Sequence, residues 1–424
     1  MSDIIIIGGG VFGLSTAAHY AKSNSVTVID KFEIPSPLSA STDYNKIVRL
    51  EYTDPVYAAM AVEAMDYWQG KGDDVYPAGL FQDTYSHCGR ISVVPPKSSP
   101  RYDFEVQSLK LLREEFGRCD SIAEHINDLT CGNVFPEFEK SRAQGLFRFN
   151  PDCGIGLAAQ SLTAIKSYSK SLGVNFIEND GVMSIDSGSK RVKVTMESGR
   201  ELLAERVLVA CGANTPSLLD LGQSVKSTGL YVGHIQLSVA EYEKYKNMPV
   251  VFDPTIGYFF PPDRATRILK LCASASSTYD KSSEALLPRY QCLEPDKVKS
   301  IPVQSVAQIR TLIRNYLPDL EFGPNGQLRD VIDCKVCWIS DTSDSNFIID
   351  EVPSKPNVFV SCGDSGHGYK FLPNIGGYIK ARMDGNLSPQ LARKWSIRDS
   401  DWTSQIIPWR VEHKRKHIDE IEWH

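Results

Sequence analysis

The sequence predicts a two-part fold, in which an α/β domain built on a parallel sheet is interrupted by an inserted α+β domain. The 424 residues exceed the usual size of one domain, so two domains are expected. Apolar runs at residues 4–7 and 26–29 flank a helical stretch, which is the pattern of a βαβ unit. Residues 90–147 and 222–334 are richer in charge, proline and aromatic side chains, which marks them as the insertion.

The domain assignment follows from these shifts in composition. The first domain is predicted to comprise residues 1–89, 148–221 and 335–395, and the second 90–147 and 222–334. Segments that return the chain to the first domain are a helical stretch at 160–172 and strands at 174–177, 191–195 and 207–210. The second domain is expected to be a mixed or antiparallel sheet with helices at 104–116 and 305–316. Residues 396–424 form a tail that is expected to be helical at 411–421.

Composition and charge exclude several classes of protein. Hydrophobic residues at 42% and charged residues at 23% are ordinary globular values. The net charge of −6, with no dense basic block before residues 414–416, argues against a nucleic-acid partner. The apolar runs fall far short of the roughly 20 residues of a membrane span. No basic segment precedes the first strand, and the chain ends in Glu-Trp-His, so a cytoplasmic location is expected, with a peroxisomal one left open.

The ten cysteines are scattered, which predicts reduced thiols. Cys334 and Cys337 form a CxxC pattern inside the apolar run 331–339. A zinc site would need a second ligand pair, and a thioredoxin-like site would open a helix. The sequence therefore predicts no metal site.

The first turn of the βαβ unit carries a dinucleotide-binding fingerprint. Gly8, Gly10 and Gly13 form a GxGxxG pattern at the start of a helical stretch. Such glycines permit a tight turn and close approach of a pyrophosphate, whose charge is stabilised by the N–H groups of the helix N-terminus. Asp30 ends the second strand, 22 positions after Gly8, where it can accept a hydrogen bond from a ribose hydroxyl.

A late strand indicates which kind of nucleotide domain this is. Residues 207–210 are apolar and end in the turn Cys211-Gly212-Ala213. This segment resembles the second flavin-contacting strand of glutathione-reductase-type flavoproteins, and the resemblance implies FAD-binding of that type. A turn that merely reverses the chain direction would have the same pattern as residues 211–213. Asp30 alone would also be compatible with NAD as the dinucleotide.

Three further segments carry cations or flexible loops. Lys46 and Arg49 are three apart, which predicts that both lie on one face of a helical turn, although surface cations of this kind need have no function. Lys270 interrupts an apolar strand at 268–272, where an inward ammonium is costly unless it has a role. The alternative is that Lys270 points outward from an edge strand. Residues 363–370 are glycine-rich, and His367 within them is predicted to be a packed, hydrogen-bonded histidine rather than a base.

These motifs, in this order from residue 4 to about 398, resemble the monomeric sarcosine oxidase and amadoriase family of FAD-dependent amine oxidases. The resemblance implies a flavin bonded covalently to Cys337 and a substrate carboxylate held by Arg49 and Lys370. It also implies that Lys46 lies against the flavin, and that Lys270 activates dioxygen by stabilising the negative charge that develops on it. Tyr258 and Phe260 are assigned to the substrate. The remaining residues assigned to the cofactor are Val11, Phe12, Lys31, Ser41, Asn45, Val182, Ala210, Gly212, Gly366, Gly368, Tyr369 and, in addition to its role toward the substrate, Lys370.

The resemblance also bears on the substrate. Sarcosine oxidases have arginine where Lys46 stands and histidine near the position of Ser41, and fructosyl amino acid oxidases have Cys-Asp-Glu where this chain has residues 272–274, Cys-Ala-Ser. The best match is the fungal saccharopine oxidase, pipecolate oxidase and amadoriase branch. The expected reaction is oxidation of a C–N bond of an N-substituted amino acid to an imine that hydrolyses, with dioxygen reduced to peroxide.

L-Saccharopine is the first substrate prediction. The alternatives are fructosyl amino acids, with Arg398 as a sugar contact, and pipecolate or sarcosine. A different class of protein would be an inactive flavin-binding protein that senses redox state through its CxxC pair. A flavin dehydrogenase that passes electrons to a partner is a further alternative, which an inward Lys270 would disfavour. The family implies a monomer.

Overall fold

The computed structural model describes residues 2–119, 123–126, 129, 135–188, 190–280, 288, 299–399, 402 and 414–424. Its strands are β1 (Ser2–Ile7), β2 (Val26–Ile29), β3 (Lys46–Val48), β4 (Tyr85–Ser86), β5 (Arg90–Val93), β6 (Ala123–Ile126), β7 (Phe147–Asn150), β8 (Gly154–Gly156), β9 (Asn175–Ile177), β10 (Val182–Asp186), β11 (Val192–Met196), β12 (Glu201–Val209), β13 (Lys226–Gln236), β14 (Val250–Asp253), β15 (Gly257–Phe259), β16 (Ile268–Tyr279), β17 (Ile332–Asp341), β18 (Ile348–Glu351), β19 (Val358–Cys362) and β20 (Lys414–His417). Its α-helices are α1 (Val11–Tyr20), α2 (Pro55–Trp68), α3 (Pro100–Phe116), α4 (Ala158–Ser171), α5 (Val239–Tyr245), α6 (Val303–Tyr316), α7 (Ile375–Met383) and α8 (Pro389–Lys394).

The first sheet is centred on β1, whose four isoleucines at 4–7 are buried on both faces. β1 pairs in parallel with β2 and β12, and β9 extends the sheet beyond β2. β19 pairs in parallel with the end of β12, and β10 and β11 add an antiparallel extension at its start. One face packs against α1, α4 and α7, which confirms the predicted βαβ arrangement.

The second sheet is mixed and mostly antiparallel, as predicted. Its strands lie in the order β17, β13, β16, β15, β14, β5, β7, β6, with β20 beside β16. The pairings of β5 with β14 and of β20 with β16 are parallel. Helix α6 covers one face through Ile309, Leu312 and Ile313, which are buried in the core of this domain.

A third, small sheet was not predicted. It has the order β3, β8, β4, and it places Lys46 at the start of β3, opposite Gly156. The prediction that Lys46 and Arg49 share one face of a helical turn was therefore wrong. The three-residue spacing fits a helix, but pairing of β3 with a strand more than 100 residues away along the chain fixes this segment as extended.

Two predicted domain boundaries fall inside strands of the second sheet. The boundary at 334/335 divides β17, which pairs along its length with β13. The boundary at 147/148 divides β7, which pairs with β5. Both strands therefore belong to the sheet of the inserted domain, because backbone pairing and not local composition sets the limits of a sheet. Cys337 is consequently carried by a strand of the second domain.

The C-terminal tail contains no α-helix among its described residues 414–424, so the helix expected at 411–421 is wrong for residues 414–421. Residues 414–417 form β20, which pairs in parallel with residues 276–279 of β16, and residues 418–420 form a short 3-10 turn. Residues 411–413 of the expected helix lie outside the described residues. Within the described part of the chain, no helix combines the length and hydropathy needed to cross a membrane.

Candidate active site

A cavity of about 810 Å³ runs from the glycine-rich turn of the first sheet to the face of the second. Its volume lies in the upper part of the range that is usual for ligand sites. Gly8 and Asp30 of the first sheet's turns line it together with Cys337 and Lys270 of the second sheet and with Lys370. The sheets of both domains therefore contribute to one continuous site.

The glycine turn depends on the absence of side chains. Gly8 has a φ of 107°, and a Cβ there would lie 2.4 Å from the carbonyl oxygen of Ala210. A Cβ at Gly13 would lie 1.9 Å from the oxygen of Gly8. Gly8 and Gly10 line the cavity, whereas Gly13 does not line it and instead permits close packing of α1 on the turn.

Asp30 is fixed at the end of β2. Its carboxylate accepts hydrogen bonds from the N–H groups of Gly9 at 2.8 Å and Phe32 at 2.9 Å. Burial raises the pKa of Asp30 against the effect of these two donors. Ser41 Oγ accepts a hydrogen bond from the N–H of Val11 at 3.1 Å, so the loop after β2 closes over the start of α1.

The structure brings most of the other predicted cofactor residues to the cavity wall. They are Val11, Phe12, Lys31, Ser41, Lys46, Val182, Ala210, Gly212, Cys337, Gly366, Gly368, Tyr369 and Lys370. Lys31 is 58% exposed and pairs with Glu197 at 2.8 Å, so its charge is already partly satisfied. Asn45 is not part of the wall. It is buried behind it, and its carbonyl accepts a hydrogen bond from Lys270.

Lys270 points into the protein from β16, which lies between β13 and β15. The side chain is 2% exposed, so the outward, edge-strand alternative is wrong. Its ammonium donates to the carbonyl of Asn45 at 2.8 Å and lies 4.5 Å from the centre of the Phe260 ring. Burial lowers the pKa of Lys270, while the charge of Asp43 opposes the shift.

Asp43 is a buried carboxylate that the sequence interpretation did not assign. It lies 2.6 Å from Lys270, 3.3 Å from Lys46 and 3.9 Å from Lys335. Burial alone would raise the pKa of Asp43, but the three lysines outweigh it and hold the pKa well below its usual range. The sequence did contain a signal for this pairing, namely an acid three residues before Lys46. Acids near buried lysines commonly pair with them.

Cys337 faces the cavity, and its sulfur lies 3.9 Å from the Lys46 ammonium. Cys334 is packed instead in the apolar core under α6. Residues three apart on a strand point to opposite faces, so these two thiols lie on opposite sides of β17. The redox-sensing CxxC alternative is therefore wrong, because the pair cannot form a disulfide without unfolding the strand.

Arg49 and Lys370 line the same part of the cavity, and Tyr52 lies between them. The Arg49 guanidinium lies 4.7 Å from the centre of the Tyr52 ring and donates to the carbonyl of Glu51. The Lys370 ammonium donates to the Tyr52 hydroxyl at 2.9 Å and to the carbonyl of His367 at 2.7 Å. Burial holds the pKa of Lys370 well below its usual range, and the charge of Arg49 adds to this shift.

His367 is a packed histidine, as predicted. Its Nδ1 is hydrogen-bonded to the Tyr52 hydroxyl at 3.0 Å and its Nε2 to the carbonyl of Ser345 at 2.9 Å. Its ring stacks on Phe347 with a centroid distance of 4.8 Å. Both ring nitrogens therefore have a structural partner.

Arg398, the sugar contact expected for the fructosyl amino acid alternative, does not line this cavity. Its guanidinium pairs with Asp344 at 2.5 Å, and the side chain lies beside a separate surface depression. Two arginines that the sequence interpretation missed do line the cavity, namely Arg90 on β5 and Arg101 in the first turn of α3. They lie in the segment assigned to the inserted domain, and nothing in their local sequence indicates that they face the site.

A glycine-rich βαβ unit whose turn opens into a cation-lined cavity between two sheets is the arrangement of a dinucleotide-binding enzyme. The chain belongs to the FAD dependent oxidoreductase family, whose family model matches residues 3–382. It is 36% identical to an L-saccharopine oxidase from Schizosaccharomyces pombe, over 96% of this chain and 95% of that protein. It is 23% identical to a monomeric sarcosine oxidase from a Bacillus species, over 88% and 90% of the two chains.

Solved structures agree with this assignment. A fructosyl peptide oxidase from E. terrenum superposes with a TM-score of 0.86 at 26% identity, covering 99% of this chain and 97% of that one. The predicted family, fold and flavin cofactor are thereby confirmed. The residues of this cavity also fit FAD, because the crowded Gly8 turn, the Asp30 carboxylate and the side-chain-free approach at Gly10 and Gly212 are what a dinucleotide requires.

Proposed function

We propose that this protein is an FAD-dependent oxidase of N-substituted amino acids, with L-saccharopine as its substrate. The observation that carries the proposal is the presence of Arg49, Lys370 and Lys270 around one cavity that continues to the glycine-rich turn. When bound, FAD supplies the two-electron oxidation of the substrate C–N bond and the transfer of those electrons to dioxygen. Gly8, Gly10 and Asp30 are the residues that would hold its pyrophosphate and ribose.

Arg49 and Lys370 are proposed to bind the substrate carboxylate. Both are cations at a partly apolar wall, and burial disfavours the charged form of Lys370 until an anion joins it. A carboxylate between them would restore that charge and fix the position of the neighbouring C–N bond. No base is assigned, since His367 is engaged on both nitrogens and an unprotonated amine already has the electron pair that the reaction needs.

The carboxylate assignment is tested by Arg49→Ala, with Arg49→Lys as the control that keeps the charge. We expect Arg49→Ala to raise the activation free energy that corresponds to kcat/KM by about 2–4 kcal/mol. This is the value of one charge-assisted contact in a closed site. Amines without a carboxylate should be poor substrates of the wild type. Equal rates for the acid and its descarboxy analogue would overturn the assignment.

Lys270 is proposed to activate dioxygen. Its side chain lines the cavity, and the charge of Asp43 at 2.6 Å opposes the lowering of the lysine pKa that burial causes. A preorganised cation of this kind stabilises negative charge as it develops on oxygen. This role favours an oxidase over a dehydrogenase that passes its electrons to a protein partner.

We further propose that Cys337 carries the flavin covalently. Its side chain lines the cavity and its sulfur lies 3.9 Å from the Lys46 ammonium, so the sulfur is accessible to a flavin methyl carbon placed in the cavity. Formation of this bond removes two hydrogens, whose electrons pass to dioxygen, so the intact mass should exceed that of the chain by one FAD less two hydrogens.

The covalent link is tested by acid precipitation of the wild type, Cys337→Ser and Cys334→Ala. We expect the wild type and Cys334→Ala to give yellow pellets, and Cys337→Ser to release its flavin into the supernatant. Free flavin from the wild type would contradict the link.

Saccharopine is preferred over fructosyl amino acids for two reasons. The relative with the highest identity named above is an L-saccharopine oxidase, and residues 272–274 lack the acidic pair expected for sugar recognition. The fructosyl alternative is retained because the structural neighbour is a fructosyl peptide oxidase. A peroxide-coupled screen of saccharopine, pipecolate, sarcosine and fructosyl-lysine separates these substrates. Fructosyl-lysine as the best substrate would overturn the first choice.

We also propose that the protein is a monomer and that it is located in the cytoplasm. The monomeric state is supported by the relatives named monomeric sarcosine oxidase, and light scattering after size-exclusion chromatography tests it. The cytoplasmic location is supported by the cysteines of the described residues, which are free thiols. Two relatives are named peroxisomal sarcosine oxidase, so a fluorescent fusion viewed beside a peroxisomal marker is the appropriate test.

A further inference from the structure

A single buried carboxylate is shared by three lysines beside the cavity. Oδ2 of Asp43 lies 2.6 Å from the ammonium of Lys270, 3.3 Å from that of Lys46 and 3.9 Å from that of Lys335. The side chains of Asp43 and Lys270 are each 2% exposed, whereas the other two lysines are 19% and 29% exposed. A buried ammonium without an opposite charge is costly, so Lys270 depends on this carboxylate more than the other two lysines do.

Backbone contacts fix the direction of the Asp43 carboxylate. Its Oδ1 accepts a hydrogen bond from the N–H of the next residue at 2.9 Å, which leaves Oδ2 to face the lysines. Two of these lysines also bind the loop itself. Lys270 donates to the carbonyl of Asn45 at 2.8 Å, and Lys335 donates to the carbonyl of Thr42 at 2.8 Å. The loop is therefore fixed to the second sheet with its carboxylate against Lys270.

The other titratable side chains around this pair are either cations or neutral at neutral pH. They are Lys46, Lys335, Cys272, Tyr258, Tyr44 and His234. Burial raises the pKa of the thiol and of both tyrosines, and it lowers the pKa of His234 to about 4. Among the residues that the structure describes, Asp43 is therefore the one anion within ion-pair distance of the Lys270 ammonium.

We infer that Asp43 is a positioning residue for dioxygen reduction, which holds the Lys270 ammonium at the cavity wall and sets the pH range in which reduced enzyme is reoxidised. This inference rests on the proposed role of Lys270 and extends it to a residue that touches neither substrate nor dioxygen. In that step dioxygen takes two electrons and one proton from the reduced flavin anion and a second proton from solvent. Lys270 keeps its own proton, because its contribution is the positive charge.

The direction of the pH effect follows from the charges around Lys270. Burial lowers the pKa of Lys270, the charge of Asp43 raises it, and the charge of Lys46 lowers it again. In Asp43→Asn the opposing charge is gone, so the pKa of Lys270 falls further. Because the protonated form stabilises charge on dioxygen, reoxidation is fast below this pKa and slows as pH rises through it. The slowing should therefore begin at lower pH in Asp43→Asn than in the wild type.

The first measurement is stopped-flow reoxidation of the reduced holoenzyme by dioxygen as a function of pH. At low pH we expect Asp43→Asn to be reoxidised as fast as the wild type. Its fall should come about one to three pH units lower, the usual effect of an opposite charge at this distance. Above the fall, the rate should decrease about tenfold per pH unit until it reaches that of Lys270→Met. Asp43→Glu keeps the charge and should restore most of the wild-type pH range.

The second measurement does not depend on turnover. Charge near a flavin tunes its electronic properties, so the oxidised holoenzyme is titrated with base while the flavin absorption band is followed. Several groups around the cavity can contribute to this titration. The transition that is missing from Lys270→Met is the one that reports Lys270. We expect that transition to move to lower pH in Asp43→Asn by the same amount as the fall in the reoxidation rate.

Asp333→Asn is the matched control. It removes one negative charge from β17, the strand that carries Lys335, at a side chain that is 40% exposed and pairs with Lys299 at 2.6 Å. The φ of Asp333 is 45°, which asparagine also adopts. Both pH profiles of this variant should equal those of the wild type.

Retained flavin and an unchanged circular dichroism spectrum show that each variant is folded. If Asp43→Asn does not retain flavin, the double variant Asp43→Asn/Lys335→Met is measured in its place, with Lys335→Met as its reference. The double variant removes one of the positive charges together with the negative one, so less repulsion remains among the lysines.

The outcomes separate this inference from the proposed function. A Lys270 transition at the same pH in the wild type and Asp43→Asn, its absence from both, or reoxidation slowed equally at every pH would overturn the positioning role. A shift of the same size in Asp333→Asn would overturn it as well. If the transition moves but Lys270→Met is reoxidised as fast as the wild type, the proposed activation of dioxygen by Lys270 fails. The dependence of Lys270 on Asp43 then stands.

Discussion

At the scale of single residues, the site is organised by buried charges whose partners come from distant parts of the chain. Asp43 joins a lysine of the second sheet, Lys270, to a lysine of the small sheet, Lys46. Tyr52 joins the two cations proposed to hold the substrate carboxylate. Each proposed half of the reaction therefore has its own set of residues, so the two halves can be perturbed separately.

Lys270→Met is expected to slow reoxidation of the reduced enzyme by dioxygen by about 100-fold or more, because it removes one preorganised cation. Anaerobic reduction by substrate should change far less, since carboxylate binding is assigned elsewhere. Stopped-flow absorbance at the flavin band measures reduction by substrate and reoxidation by dioxygen separately.

Lys335→Met is the control for Lys270→Met, because Lys335 also lies near Asp43 but is 29% exposed and more distant from the carboxylate. It should leave reoxidation nearly unchanged. If Lys270→Met slowed reduction by substrate and reoxidation by dioxygen equally, that lysine would be assigned to substrate binding or to folding. An unchanged reoxidation rate would transfer oxygen activation to Lys46.

The lowered pKa of Lys370 predicts a pH effect on kcat/KM. The protonated ammonium binds the carboxylate, so kcat/KM should fall as pH rises through the pKa of Lys370 in the free enzyme. Because burial lowers that pKa, the fall should come at a lower pH than for an ordinary lysine, whose pKa is about 10.4.

In Lys370→Arg this alkaline fall should move to higher pH, since a guanidinium keeps its proton in proteins. The rise of kcat/KM at lower pH, where the substrate amine loses its proton, serves as the internal reference and should not move. A profile identical to that of the wild type would remove Lys370 from carboxylate binding.

At the scale of elements, the C-terminal segment supports the strand that carries Cys337. Ile418 follows β20, is 2% exposed and packs with Ala213 and Trp338, the latter next to Cys337 on β17. The tail also contacts the start of α6, where the N–H of Val303 donates to the carbonyl of Glu422 at 2.9 Å. The tail therefore extends the second sheet and also packs against the turn that follows β12 of the first sheet.

Ile418→Ala is expected to lower the free energy of unfolding by about 2–4 kcal/mol, the usual effect of removing a buried isoleucine side chain. Ile421→Ala, at a half-buried position in the same segment, should cost less. Chemical denaturation followed by circular dichroism measures both. A smaller effect at Ile418 than at Ile421 would show that the tail does not support β17.

The elements also show what sequence can and cannot predict here. Four buried isoleucines before Gly8 specify β1, and one lysine in an apolar strand correctly indicated an inward Lys270, because both patterns are local. The strand at Lys46 and the orientation of Arg101 depend on pairing and packing with residues far along the chain. Asp43 was visible in the sequence, but its three lysine partners converge only in the folded protein.

At the scale of the whole molecule, the proposed cofactor would bridge two sheets that share no strand. If Cys337 holds it covalently, the melting temperature of the wild-type holoenzyme should not depend on added FAD. In Cys337→Ser, added FAD should raise the melting temperature by a few degrees, because a reversible ligand stabilises by about 2.7 kcal/mol at 100 times its dissociation constant. Differential scanning fluorimetry measures this, and an equal rise in the wild type would contradict the covalent link.

The interleaving of the two sheets along the chain has a consequence for biosynthesis. β5 emerges from the ribosome long before its partner β14, and the first sheet lacks β19 until residue 362 has been made. The first sheet therefore remains incomplete while most of the chain is translated, so the two domains cannot fold one after the other. We expect ribosome-bound chains stopped at residue 330 to be cleaved rapidly by protease, and full-length chains with a C-terminal spacer to resist it.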